Sequence, residues 1–192
     1  MRFREHYGIA KDIAGKEASF FFLMGSLFPD YVERHRIHRT DETLDLIKKR
    51  LHRVLHTKNK IIKDYLLGTC MHYICDYCCY SHGDKYYEMV HHRIFENAEQ
   101  AFYCNRPDIR LKCLKNARRF YDKYKPENLS VSDSETFRAK SVKMRIKLDH
   151  LLSKRICRIE NLHSKEWWID ERIMEIDLYY AYALCYFIYH LF

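Results

Sequence analysis

Ile61-Ile-Lys-Asp-Tyr65-Leu-Leu-Gly-Thr69-Cys-Met-His72-Tyr-Ile-Cys-Asp76-Tyr-Cys-Cys-Tyr80 reads as one long helix, and that reading sets the class of the whole chain. Tyr65, Thr69, His72 and Asp76 fall on one stripe at 3.6 residues per turn. Gly83 is expected to end or loosen the helix, leaving His82 at its C-terminal edge. Beyond it, Asp84 caps a fifth helix through about Tyr103, and Pro107 suits the first residue of a sixth that reaches Tyr124. Lys125 to Asp133 is the one convincing loop. Two further helices are expected, about Ser134 to Glu160 and Ser164 to His190, with Ser164 as cap of the last.

Towards the N-terminus, a first helix covers Arg4 to Ala14 and ends near Gly15. A short apolar helix follows and should stop before Pro29, because the residue preceding a proline is pushed out of the α region. Phe28-Pro29-Asp30-Tyr31 then reads as a turn presenting Asp30. Thr40 caps a third helix with Leu44, Ile47, Leu51, Val54 and Leu55 at helical spacing. Five Gly and three Pro are few for 192 residues and favour long helices over a turn-rich β architecture. Repeats, low-complexity tracts and strand patterns are missing, so the expected fold is one all-α domain over residues 1–192.

Composition narrows the classes further. Hydrophobic content of 47% with 15% aromatics excludes a disordered chain. A formal net charge of +8 and a pI near 9.0 suit an anionic partner such as phospholipid head groups, nucleic acid or a phosphate ester. The opening Met1-Arg2-Phe3-Arg4-Glu5-His6 has no apolar export segment, so the expected compartment is the cytoplasm, with peripheral membrane association left open. The eight cysteines are then expected as reduced thiols, mostly small core residues. Cys75 and Cys78 form one CxxC without a second pair at zinc-site spacing. The apolar stretches Phe20 to Phe28 and Leu178 to Phe192 are too short to span a bilayer.

The chemistry concentrates around the opening segment. His72 and Asp76 lie on one helical face, about 40° from eclipsed. His92 and Glu96 repeat that spacing on the next helix, and His82 stands between the pairs. Imidazole and carboxylate donors converging from neighbouring helices are what a zinc ion needs. His91 is adjacent to His92, but only His92 stands four residues before Glu96. His52 and His56 lack a carboxylate at ligand spacing and read as solvated; His150, His163 and His190 read as structural.

The series His72-x3-Asp76-x5-His82-x9-His92-x3-Glu96 resembles the zinc-dependent phospholipase C family, which shares its helical fold with the P1-type single-strand nucleases. The local phrase His72-Tyr-Ile-Cys-Asp76-Tyr-Cys-Cys-Tyr-Ser-His82 is similar to that family's His-Tyr/Phe-x-x-Asp-x-x-x-x-x-His core. Upstream, His6, the turn Gly25-Ser-Leu-Phe-Pro-Asp30 and His38 occupy the places of a further His, a Pro-Asp turn and a following His; His35 competes with His38. The resemblance covers roughly residues 1–100.

The resemblance implies an all-α domain of the phospholipase C/P1 nuclease type with two or three zinc ions. One would be held by Asp30, His38, His72 and Asp76, and a second by His82, His92 and Glu96. A third would use His6 and the other oxygen of Asp76. In the secreted members an N-terminal Trp completes the third site; here the stretch is Met1-Arg2-Phe3, and the Met1 amine would take that place. Asp30 is the expected general base, and Tyr31 stands where a choline-contacting Tyr does. The implied activity is hydrolysis of a phospholipid or related phosphate ester by a metal-activated hydroxide. Two alternatives stay open: a P1-type nuclease, which the basic charge favours, and a non-catalytic zinc-stabilised helical protein. Ligating imidazoles would need acceptors behind them, from Asp84, Glu88 or backbone carbonyls.

Overall fold

A computed structural model describes residues 2–32, 40–82, 89–125 and 170–192. The helix expected over Ser134 to Glu160, most of the Lys125 to Asp133 loop, and the caps Asp84 and Ser164 lie outside the described residues, as do Met1, His35, His38, Glu88, His150 and His163. The described residues form seven α-helices and no strand: α1 (Phe3–Ala14), α2 (Phe20–Val32), α3 (Thr40–His56), α4 (Lys60–Cys78), α5 (Met89–Asn105), α6 (Pro107–Tyr124) and α7 (Glu171–Tyr189). One-turn 3-10 helices follow α1 (Gly15–Glu17) and α4 (Tyr80–His82).

Local chemistry explains the boundaries. Gly15 ends α1 at φ 62°, a backbone conformation that costs glycine nothing. Ser19 Oγ accepts from the Phe22 N–H at the start of α2, and Asn59 Oδ1 accepts from the Ile61 and Ile62 N–H groups at the start of α4. Pro107 opens α6, where its missing N–H has no helical partner to lose.

Three expected boundaries are corrected. The second helix does not stop before Pro29; it runs to Val32 with Pro29 inside its last turns. Proline disfavours the α region in its predecessor without forbidding it, and packing of α2 along α4 holds the helix through that point. Asp30 and Tyr31 are therefore helical residues, not turn residues. The fourth helix ends at Cys78, and His82 sits on a separate 3-10 turn. The last helix begins at Glu171, because the Asp170 carboxylate accepts the Arg172 N–H and caps it there.

α4 is the central element. Every residue from Leu66 to Asp76 is buried, so the helix is enclosed on all sides rather than amphipathic. It packs against α2, α3 and α7, while α6 lies along α7. One contiguous core joins residues of all seven helices, including Ile9, Phe22, Leu51, Tyr73, Phe95, Ala117 and Leu178. Asp12 on α1 fastens the periphery, accepting from Arg110 Nη2 at 2.9 Å and also from the Tyr103 and Tyr182 hydroxyls. No helix among the described residues is long and apolar enough to cross a membrane.

α2 and α4 meet backbone to backbone. A Cβ on Gly68 would come within 2.1 Å of the Phe22 carbonyl oxygen, and one on Gly25 within 2.2 Å of the Tyr65 carbonyl oxygen. Gly68→Ala must therefore push the helices apart, since neither atom is a movable side-chain tip. The expected cost is about 3 kcal/mol, read as a lower denaturation midpoint in urea. The change should also displace Asp30 and the Ser26 carbonyl that His72 meets, since both are carried on α2. An unchanged midpoint would contradict this packing.

Candidate metal centre

α4 brings His72 and Asp76 to the middle of the fold, and three other elements point donors at them. His72 Nε2 lies 3.1 Å from Asp76 Oδ2. His6, on α1, places its Nε2 3.3 Å from Asp76 Oδ1. His82, on the 3-10 turn, stands 4.0 Å from the same oxygen. Asp76 is thus a buried carboxylate facing three imidazoles. The His6 and His72 rings stack with centroids 4.1 Å apart, and both are fully buried.

Asp30 approaches from α2, with Oδ1 3.6 Å from His72 Nε2 and Oδ2 4.0 Å from His6 Nε2. Its side chain is 39% exposed against 3% for Asp76. One carboxylate therefore closes the floor of the centre, and the other stands at its mouth. Tyr31 is 54% exposed and meets the Phe3 ring edge-on at 5.8 Å.

A second group adjoins the first. His82 Nε2 and His92 Nε2 are each 3.4 Å from Glu96 Oε1. The i,i+4 geometry of α5 delivers His92 to Glu96, and the group includes His92, not His91. Arg2, which the sequence reading did not single out, places Nε 3.6 Å from Glu96 Oε2.

Backbone carbonyls stand behind two of the imidazoles, His72 and His92. His72 Nδ1 donates to the Ser26 carbonyl at 3.1 Å, and His92 Nδ1 donates to the Ser81 carbonyl at 3.2 Å. A carbonyl can only accept, so each Nδ1 carries a proton and each ring turns Nε2 towards the carboxylates. Asp84 and Glu88, the side-chain alternatives, lie outside the described residues.

Electrostatics separates the two groups. Burial and the adjacent His72 oppose protonation of His6, but Asp76 outweighs them and lifts it to about 9. Burial likewise opposes charge on His72, and Asp76 again raises it. Against its own burial, Asp76 is held well below the usual carboxylate range by His72, His6 and His82. In the second group, burial and His82 bring His92 down to about 4. Burial opposes ionisation of Glu96, yet His82 and His92 help carry it down to about 2.

The donor set fits zinc. A tetrahedral ion with bonds of about 2.0–2.3 Å separates its donor atoms by about 3.3–3.8 Å. The pairs at 3.3, 3.4 and 3.6 Å sit at that edge length and are long for N–H···O hydrogen bonds. His6, His72 and Asp76 form one group able to hold an ion, and His82, His92 and Glu96 another.

With this geometry stands a family match: the description "zinc dependent phospholipase C" fits residues 7–150. The chain belongs to the zinc-dependent phospholipase C family, and its all-α fold is of that type. At the family level it is a zinc-dependent hydrolase of phosphodiesters. No curated protein and no solved structure matches the chain. The match begins just after His6 and ends before α7.

Proposed function

We propose that this chain hydrolyses phospholipid phosphodiesters, with the whole chain acting as one domain. His6, Asp30, His72, Asp76, His82, His92 and Glu96 would hold two or three zinc ions, with His38 as a further ligand. The observation that carries the reading is Asp76 surrounded by three imidazoles and flanked by the His82–His92–Glu96 group. Zinc bound there would lower the pKa of a coordinated water and offset charge on the phosphate.

The remaining steps belong to the protein's own side chains. Asp76 fixes His6 and His72 from below. Ser26 and Ser81 hold the tautomers that leave Nε2 available. In this reading Asp30, at the exposed mouth, takes the proton of the attacking water. Tyr31, beside it, touches the head group.

The choice of lipid over nucleic acid rests on the outer face of α2, the helix that bears Asp30. Phe20 is 69% exposed, and Phe21, Met24, Phe28, Tyr31 and Val32 also reach solvent. They give α2 an exposed apolar stretch around Asp30, and Ile61 and Ile62 of α4 are exposed as well. Such a surface suits acyl chains at an interface, which a polyanion does not offer.

The test compares hydrolysis of micellar phospholipid, a short-chain monomeric analogue and single-stranded DNA by zinc-loaded protein. Expected is turnover of both lipids, preference for micelles, and about tenfold weaker micellar activity in Phe20→Ser/Phe28→Ser, with a smaller loss on the monomer. Faster cleavage of DNA, falling steeply with salt, would favour the nuclease reading. Cleavage of none of the three would favour a non-catalytic zinc protein.

A further inference from the structure

A second set of buried donors, which the hydrolase reading does not use, comes together from α4, α5 and α7. Cys79 leaves the C-terminus of α4, Glu99 comes from α5 and Asp177 from α7. One ligand atom of each lies within 4.8 Å of the others, and all three residues are buried. Cys79 Sγ is 3.3 Å from Glu99 Oε2 and 3.2 Å from Ser81 Oγ. The Tyr80 N–H donates to Asp177 Oδ2.

Two further observations point to a ligand. Glu99 Oε1 is fully buried and has no hydrogen-bond partner. Glu5 on α1 is also fully buried, its Oε1 is likewise unpartnered, and its charge acts on Glu99. Leaving a carboxylate oxygen buried and unsatisfied is costly, and three carboxylates gathered in one interior more so. Burial, with Cys79 and Glu5 adding to it, pushes Glu99 well above the usual carboxylate range.

We propose that Cys79, Glu99 and Asp177 form a separate structural metal site for a zinc-like divalent cation. A thiolate with carboxylates is a donor set that zinc accepts, whereas magnesium or calcium would not select the sulfur. The Cys79–Glu99 separation of 3.3 Å is a little shorter than the edge of about 3.5–3.7 Å in a zinc tetrahedron with one sulfur and one oxygen, so a bound ion would part the two atoms slightly. Binding forms sulfur–metal and oxygen–metal bonds as the Cys79 Sγ–H proton and the Glu99 carboxyl proton leave to solvent, with no change of oxidation state. Once the thiol and both carboxyls are ionised, a divalent ion offsets two of their three negative charges.

The site ties the C-terminal helix to the catalytic segment. Cys79 stands midway between Asp76 and His82, and Asp177 lies beyond the family match. Cys79 contacts Ser81, whose carbonyl orients His92. A cation here would pin α7 and α5 against the turn that aims both imidazoles.

Cobalt(II) substitution of the full-length protein tests this independently of any substrate. None of the donors named for the neighbouring centre is a thiol, so a near-ultraviolet thiolate-to-cobalt charge-transfer band that depends on Cys79 reports the proposed site. Expected is that band in the wild type, its retention in Cys104→Ser (Cys104 being the exposed thiol among the described residues), and its loss with one metal equivalent in Cys79→Ser. Absence of the band in wild type, its loss in Cys104→Ser, or its persistence in Cys79→Ser overturns the proposal. Should Cys79→Ser not fold, X-ray absorption of the wild-type zinc protein decides. Sulfur at about 2.3 Å supports the site, and a shell of nitrogen and oxygen alone rejects it.

Discussion

Asp76→Asn should lower kcat/KM by on the order of 10³, about 4 kcal/mol of lost transition-state stabilisation. The substitution preserves size and removes only charge. Asp76 Oδ2 faces His72 at 3.1 Å and Oδ1 faces His6 at 3.3 Å, so an amide would present a donor where imidazoles need a shared anion. Zinc content should fall by at least one ion, measured by metal analysis of the desalted protein. The loss should appear on monomeric and micellar substrates alike, unlike that from changes on the apolar face. Full zinc content with activity within tenfold of wild type would remove Asp76 from the centre.

Stripping the metal should lower the thermal midpoint by about 8–16 °C. Zinc at a thousand times its dissociation constant stabilises the folded state by about 4 kcal/mol, and each kcal/mol moves the midpoint by about 2–4 °C at this chain length. The pH dependence has a defined sign. His6, lifted to about 9, must lose its proton to ligate, so affinity at its group should climb with pH up to about 9. His92, brought down to about 4, already lacks that proton at neutral pH. On acidification the His6–His72–Asp76 group should therefore release its ion first. Simultaneous loss of all zinc in one step would contradict this order.

Metal-free protein should respond in the opposite sense. The raised pKa of His6 contributes stability that is fully present below its unfolded value near 6.5 and lost as pH rises through about 9. The lowered pKa of Asp76 contributes stability present above about 4 and lost on further acidification. Glu5, lifted from 4.5 to about 7 chiefly by burial, costs stability as pH rises through that range, with no further loss above it. The apo form is thus expected to be most stable in mild acid and to gain most from zinc at alkaline pH.

Much of the centre was legible because its donors repeat at helical spacing. His72 with Asp76, and His92 with Glu96, each occupy one face of one helix, so residue type and period suffice to pair them. The Asp30 turn was misread because the local bias of a proline was allowed to end α2, whereas packing against α4 carries the helix through it. Cys79, Glu99 and Asp177 were not legible at all. They lie on three elements far apart in the chain, and a single Cys, Glu or Asp has no period to betray it.

The sequence by itself determined the all-α class, the helical frame of α4 and the chemical identity of the donors, since these depend on period and residue type. Tertiary structure alone decided which donors meet. The glycine contact of Gly25 with Gly68 lets α2 approach closely enough for the Ser26 carbonyl to orient His72 and for Asp30 to reach it. Only the packing of α7 on α4 brings Asp177 to Cys79. Convergence of side chains is a property of helix positions in space, and no one-dimensional pattern encodes the distance between two helices.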